Sequence, residues 1–122
     1  RTKAKMDSLD IKLEFDSINP VDYFNFIGLL KNCKYLITDS GGAVRESYWL
    51  NKPSLLLLEK PLWPELVEAG VCLNTIPKFD QIISQFSSLK NINDKFPKGI
   101  FGDGKASSII TENLMKHYAG GL

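Results

Sequence analysis

Ser40, Gly41, Gly42 and Glu46 are the residues whose types and spacing suit ligand chemistry in this 122-residue chain. They fall in the segment Tyr35–Glu46, which reads YLITDSGGAVRE: an apolar run stops at Asp39-Ser40, two glycines turn the backbone, and a helix begins. A strand feeding a tight turn and a helix presents unpaired backbone N–H groups and the positive end of a helix dipole above the strand. A phosphate is the natural guest of such a turn. Glu46, on the first turns of the helix, repels a phosphate but is well placed for a sugar hydroxyl. The pattern points to a nucleotide. Asp39 reads as structural, capping the helix or bonding nearby backbone.

The elements that must hold this turn alternate along the chain. Leu9, Ile11, Leu13 and Phe15 alternate with charged residues, which predicts a strand with one covered face at the sheet edge. Asn19-Pro20 is a helix start, with Asn as N-cap and Pro at the first helical position. Val21, Phe24, Ile27 and Leu30 continue at helical spacing, widened by Phe26, Leu29 and Cys33. A buried strand over Tyr35–Thr38, the glycine turn and a helix near Ala43–Leu50 follow, and Asn51-Lys52-Pro53 ends that helix. Ser54–Leu58 is a continuous apolar run, typical of a strand covered on both faces of a parallel sheet. A loop with Pro61 and Pro64 leads to a short helix, Glu65–Ala69, closed by Gly70, and Val71–Leu73 reads as a further strand. Phe79–Leu89 carries Phe79, Ile82, Ile83, Phe86 and Leu89 at helical spacing. Residues 90–104 read as a connection rather than a core element. Lys105–Tyr118 forms a last helix with Ile109, Ile110 and Leu114 on its apolar side, and all these helix stripes are expected in the core.

This order predicts an α/β fold: a Rossmann-like parallel sheet flanked by helices on both faces. Ligands bind such sheets beyond the carboxyl ends of the strands. The Thr38–Gly42 turn and the Glu59–Glu65 loop both lie at such ends and should share one rim.

Composition narrows the partners. Fifteen basic and 14 acidic side chains leave a formal net charge of +1, which gives no electrostatic reason for nucleic acid or an anionic membrane. No run reaches transmembrane length and no signal peptide is visible, so cytoplasm is the expected location. Cys33 and Cys72 read as buried free thiols, and the lone His117 builds no metal site, so neither a metal nor a cofactor is expected. The chain opens on Arg1 in charged sequence, as a piece of a longer protein does. It closes on Gly120-Gly121-Leu122, as a frayed terminus does.

Thr38-Asp39-Ser40-Gly41-Gly42, Glu46, Lys52-Pro53, Pro64-Glu65, Val67-Glu68-Ala69-Gly70 and Gly102-Asp103-Gly104-Lys105-Ala106-Ser107 occur in one order with one spacing. Together they resemble the C-terminal domain of the UDP-N-acetylglucosamine 2-epimerase family. Asp22-Tyr23-Phe24-Asn25-Phe26 resembles the family's segment before the buried strand. Arg1-Thr2-Lys3 is similar to the stretch that follows a His-Pro pair there.

The resemblance implies that residues 1–122 are the UDP-binding half of a GT-B-like two-domain enzyme, whose catalytic N-terminal domain lies outside this chain. It implies that Ser40, Gly41 and Gly42 bind the diphosphate of UDP or a UDP-N-acetyl-hexosamine, and that Glu46 binds the ribose. Arg1 is a further possible contact to the cleft. No catalytic residue is expected in this chain, so alone it should be inactive, and the parent is expected to be a homodimer. In the family, C2 of the sugar is inverted by eliminating UDP to a glycal-type intermediate. UDP is then added back, or released with water.

Two positions depart from the family pattern: Arg45 stands where an acidic residue is usual, and Trp63 where an Arg is usual. The missing guanidinium removes a charge-assisted contact of about 1.5–3 kcal/mol. Two alternatives stay open, a GT-B glycosyltransferase using a UDP-sugar donor and a diverged non-catalytic nucleotide-sugar-binding domain. Gly102-Asp103-Gly104 reads as a loop and helix cap.

Overall fold

A computed structural model describes residues 2–93 and 95–119. In chain order it contains helix α1 (Thr2–Ser8), helix α2 (Tyr23–Asn32), strand β1 (Leu36–Thr38), helix α3 (Gly41–Trp49), strand β2 (Ser54–Leu57), helix α4 (Pro64–Glu68), strand β3 (Cys72–Thr75), helix α5 (Phe79–Leu89) and helix α6 (Ala106–Ala119). The strands form a parallel sheet in the order β1-β2-β3, with Thr38 beside Leu56 and Leu55 beside Leu73. The apolar run after Pro53 thus becomes the central strand.

Both crossovers advance the chain the same way, which places α3 and α4 on one face of the sheet. There Leu56 packs with Val44 and Tyr48 of α3, Leu66 of α4, Val71 and Cys72. Alternation along the strands turns Leu55, Leu73 and Ile37 to the other face. Helix α5 covers that face: Phe86 meets the Tyr35 ring edge-on at 5.7 Å, and Leu89 is fully buried. Helices on both faces of a parallel sheet are what the alternating sequence predicts. Both cysteines are free, Cys72 buried and Cys33 half-buried. Burial pushes both thiols above their ordinary values, and Lys52 partly offsets this at Cys33.

The structure departs from the sequence expectations in four places. The strand expected over Leu9–Phe15 is absent: these residues form a turn and irregular chain, and all four apolar side chains are exposed. Period two says which side of a strand is apolar, but a strand also needs a neighbour's backbone, and among the described residues the sheet pairs only β1 with β2 and β2 with β3. Helix α2 starts at Tyr23 rather than at Pro20. Asp22 caps it, accepting from the Asn25 backbone N–H at 2.9 Å and from Asn25 Nδ2 at 2.8 Å. Those two bonds, the backbone one foremost, hold the Asp22 carboxyl below its ordinary value. A charge-assisted cap outcompetes the neutral Asn19 signal.

Third, the helix stripes are not all core. Phe24 of α2 is 84% exposed and Phe79 of α5 78%. Ile109, Ile110 and Leu114 of α6 are exposed as well. Periodicity defines an apolar side without saying what covers it. Fourth, the 90–104 connection does contribute to the core. Phe96, Ile100 and Phe101 pack against the buried cluster. The Tyr48 hydroxyl donates to the Pro97 carbonyl at 2.8 Å and accepts from the Ile100 N–H at 3.3 Å. The connection is therefore tied down on α3.

Candidate functional site

The chain leaves β1 at Thr38 and enters α3 through Ser40, which is extended (φ −95°, ψ 115°) and serves as the N-cap. Ser40 Oγ accepts from the Ala43 N–H at 3.3 Å, and Thr38 Oγ1 accepts from the Ser40 N–H at 3.0 Å. Local side chains thus satisfy the amides on either side of the glycines. The N–H groups of Gly41 and Gly42, the first two helical residues, have no acceptor among the described residues. They carry the positive end of the α3 dipole. The Ser40 hydroxyl, used only as acceptor, keeps its own O–H to donate.

The glycines differ from the sequence expectation in one respect. They do not turn the backbone ahead of the helix; they are its first turn, and neither adopts a positive φ. Gly41 instead lies close against the loop before α4. A Cβ there would lie 2.5 Å from Leu62 Cδ1 and 3.4 Å from Trp63 Nε1, whereas at Gly42 its nearest neighbour would be Ser40 Oγ at 3.8 Å. Asp39 does not cap the helix, since Ser40 does. Its carboxylate is exposed, with no hydrogen bond among the described residues.

Glu46 stands one turn beyond Gly42 on the same side of α3. Gly42, Arg45, Glu46 and Trp49 line a cavity of about 230 Å³. The Tyr23 hydroxyl donates to Glu46 Oε1 at 3.2 Å, and Oε2 has no partner among the described residues. Desolvation, then the Glu46 carboxylate as acceptor and as charge, holds the Tyr23 phenol above its ordinary value. The structure thus places Ser40, Gly41 and Gly42 at the start of α3 and Glu46 one turn beyond Gly42. Arg1 lies outside the described residues.

The Glu59–Glu65 loop shares this rim, as its position after β2 predicts. Asn74 on β3 anchors its start by donating to the Leu58 carbonyl at 2.7 Å. Its far end reaches α3, where Trp63 Nε1 donates to the Gly41 carbonyl at 2.9 Å. The two residues that depart from the family pattern meet here. Arg45 Cζ lies 4.8 Å from the centre of the Trp63 ring and 5.2 Å from that of Phe101, and these two rings meet edge-on at 5.4 Å. A cation over two aromatic faces joins α3, the loop before α4 and the 90–104 connection. Gly102 and Gly104 have positive φ, and Asp103 accepts from the Lys105 N–H at 3.1 Å, which makes that segment a shaped loop.

Sequence reasoning gave no role to Tyr23, Trp49 or Phe101, which reach the site from 23 residues before Glu46, from the far end of α3 and from a segment read as a connection. The signal available for Tyr23 was its place in Asp22-Tyr23-Phe24-Asn25-Phe26, a segment that carries the family resemblance. Among the described residues, no group of three or more His, Cys, Asp or Glu is placed to hold a metal ion. No described helix is long and apolar enough to cross a membrane. Chemically, the arrangement offers two amides and a hydroxyl to an anion, and one carboxylate oxygen to a neighbouring hydroxyl pair.

Gly41→Val is expected to destabilise the protein by about 1–3 kcal/mol, because Leu62 and Trp63 must move to admit the side chain. Gly42→Ala, whose Cβ makes only an ordinary contact with Ser40 Oγ at 3.8 Å, should cost far less. Urea denaturation of both variants checks this. Equal costs would show that Gly41 is not kept for the close approach of the loop.

The chain matches the family model described as UDP-N-acetylglucosamine 2-epimerase over residues 1–115. A UDP-2,3-diacetamido-2,3-dideoxy-D-glucuronate 2-epimerase of Pseudomonas aeruginosa is 36% identical over 118 residues, covering 95% of this chain and 33% of its own length. A UDP-N-acetylglucosamine 2-epimerase of Campylobacter jejuni is 36% identical over 104 residues, covering 81% of this chain and 27% of its own. The crystal structure of the Methanocaldococcus jannaschii UDP-GlcNAc 2-epimerase in complex with UDP-GlcNAc and UDP superimposes with a TM-score of 0.80 at 29% identity, over 95% of this chain and 33% of that one. The chain thus spans about a third of the length of these relatives. With the sheet, the Ser40-Gly41-Gly42 helix start and the matched residues in agreement, this chain belongs to the UDP-N-acetylglucosamine 2-epimerase family.

Proposed function

We propose that this chain is the UDP-binding, C-terminal domain of a GT-B-like UDP-N-acetylglucosamine 2-epimerase. The Ser40 hydroxyl and the Gly41 and Gly42 amides take the diphosphate, and Glu46 takes the ribose hydroxyls. One observation carries the reading: the unpartnered Gly42 amide lies one helical turn from Glu46 in a shared cavity, with the second free amide, that of Gly41, beside it at the helix start. A diphosphate and its ribose present an anion and a diol in that order. The M. jannaschii relative described as bound to UDP-GlcNAc and UDP supports the choice of ligand.

The parent reaction eliminates UDP from the sugar and returns it, or releases it with water. Donors fixed on the diphosphate stabilise charge as UDP departs and hold the leaving group for return. The groups that move the C2 proton belong to the rest of the polypeptide, so this chain binds and does not react. On this reading the parent is a cytoplasmic homodimer that needs no cofactor. A different sugar is favoured by one observation, the name of the P. aeruginosa relative. Both sugars are carried on UDP, so the role of this chain is the same.

Calorimetric titration of the protein carrying this chain should show UDP binding more tightly than uridine. A flat titration by folded protein would remove the reading.

A further inference from the structure

We propose that Trp63 is a positioning residue for the diphosphate: its indole N–H orients the Gly41–Gly42 peptide so that the Gly42 amide faces the ligand. This rests on the diphosphate reading above and adds a residue to it.

The Gly41 carbonyl and the Gly42 N–H are two ends of one planar trans peptide and point in opposite directions. A donor that holds the carbonyl therefore aims the amide. The carbonyl of Gly41, as the first helical residue, takes the helix's own amide bond on one lone pair. Trp63 Nε1 is a second donor, at 2.9 Å from Gly41 O, that fixes the peptide from outside the helix. The lock matters at this place because two consecutive glycines restrain their shared peptide less than any other pair. The first turn of a helix also lacks the amide bonds that steady later turns. A bond accepted by the carbonyl further polarises the N–H at the other end, strengthening its bond to an anion.

The indole is itself held in place. The indole N–H is a donor only, and the Gly41 carbonyl is its partner. Phe101 meets its ring edge-on at 5.4 Å, and the Arg45 guanidinium lies over both rings. Through Phe101, the 90–104 connection bears on the same peptide.

Trp63→Phe keeps an aromatic face and removes the donor. In the protein carrying this chain, calorimetry should show UDP affinity falling about threefold to tenfold, with uridine affinity unchanged. The Gly42 amide resonance should shift in the ligand-free variant. If the phenylalanine protein does not fold, benzothienylalanine at position 63 replaces the N–H by sulfur with the same ring shape. Unchanged UDP affinity, or equal losses for UDP and uridine, would make Trp63 a packing residue and overturn the proposal. The amide resonance separates two failures. If it responds but the wild type does not prefer UDP to uridine, the diphosphate reading fails and the ligand-facing role goes with it. If UDP is preferred and the resonance does not respond, the Trp63 inference alone fails.

Discussion

Glu46→Ala is expected to weaken UDP binding about tenfold to a hundredfold, the loss of a charge-assisted hydrogen bond to the ribose. The carboxylate is well prepared for that bond. Tyr23 holds Oε1 and leaves Oε2 without a partner among the described residues, in a side chain that lines the cavity shared with Gly42 and Trp49. The alanine variant should keep its fold, because Glu46 is half-buried and Tyr23 is the only hydrogen-bond partner of its side chain among the described residues. A ligand change separates ribose binding from a general electrostatic effect. The wild type should bind 2′,3′-dideoxy-UDP more weakly than UDP, and the alanine variant should barely distinguish them. If removing the carboxylate weakens both ligands equally, Glu46 does not bind the ribose. If it tightens UDP binding, the carboxylate only repels the diphosphate.

Leu56→Ala is expected to destabilise the fold by about 3–5 kcal/mol, the range for a buried leucine whose site cannot collapse. Leu56 is 1% exposed on the central strand and touches both helices of its face through Val44, Tyr48 and Leu66. Its neighbours are held by the sheet on one side and by the Tyr48 bonds to the 90–104 connection on the other, so little can move inward. Against a total stability of about 5–15 kcal/mol, the loss is a large fraction. Urea denaturation should show a lower midpoint with an unchanged slope. Ile109→Ala on exposed α6 should leave the midpoint almost where it was. A Leu56 variant losing less than about 1 kcal/mol would show that this cluster is not the core that holds the sheet.

The same residues divide what was legible in the sequence from what was not. β2 and α5 announced themselves, one by an unbroken apolar run and the other by apolar residues at three- and four-residue steps. The site helix was legible in outline only: the sequence placed it after a glycine turn with Asp39 as cap, whereas Ser40 caps it and the glycines are its first turn. Less legible was how much each apolar pattern would bury. Leu9–Phe15 alternates correctly and pairs with nothing among the described residues, and α6 has an apolar side that stays exposed. Both patterns state a requirement that only a neighbour can meet.

By itself, then, the sequence determined the alternation of strands and helices from Tyr35 to Leu89, the parallel sheet and a helix start beyond its first strand. These follow from local backbone preferences and from periods counted along the chain. Only the tertiary structure decided that Gly41 is kept for close approach rather than for a turn. Only it showed that Tyr23 holds one oxygen of Glu46, and that Arg45, Trp63 and Phe101 gather around the Gly41 carbonyl. Those contacts join residues far apart in the chain. Their energies depend on distances that no local pattern encodes, and they exist only once the sheet has brought its loops to one rim.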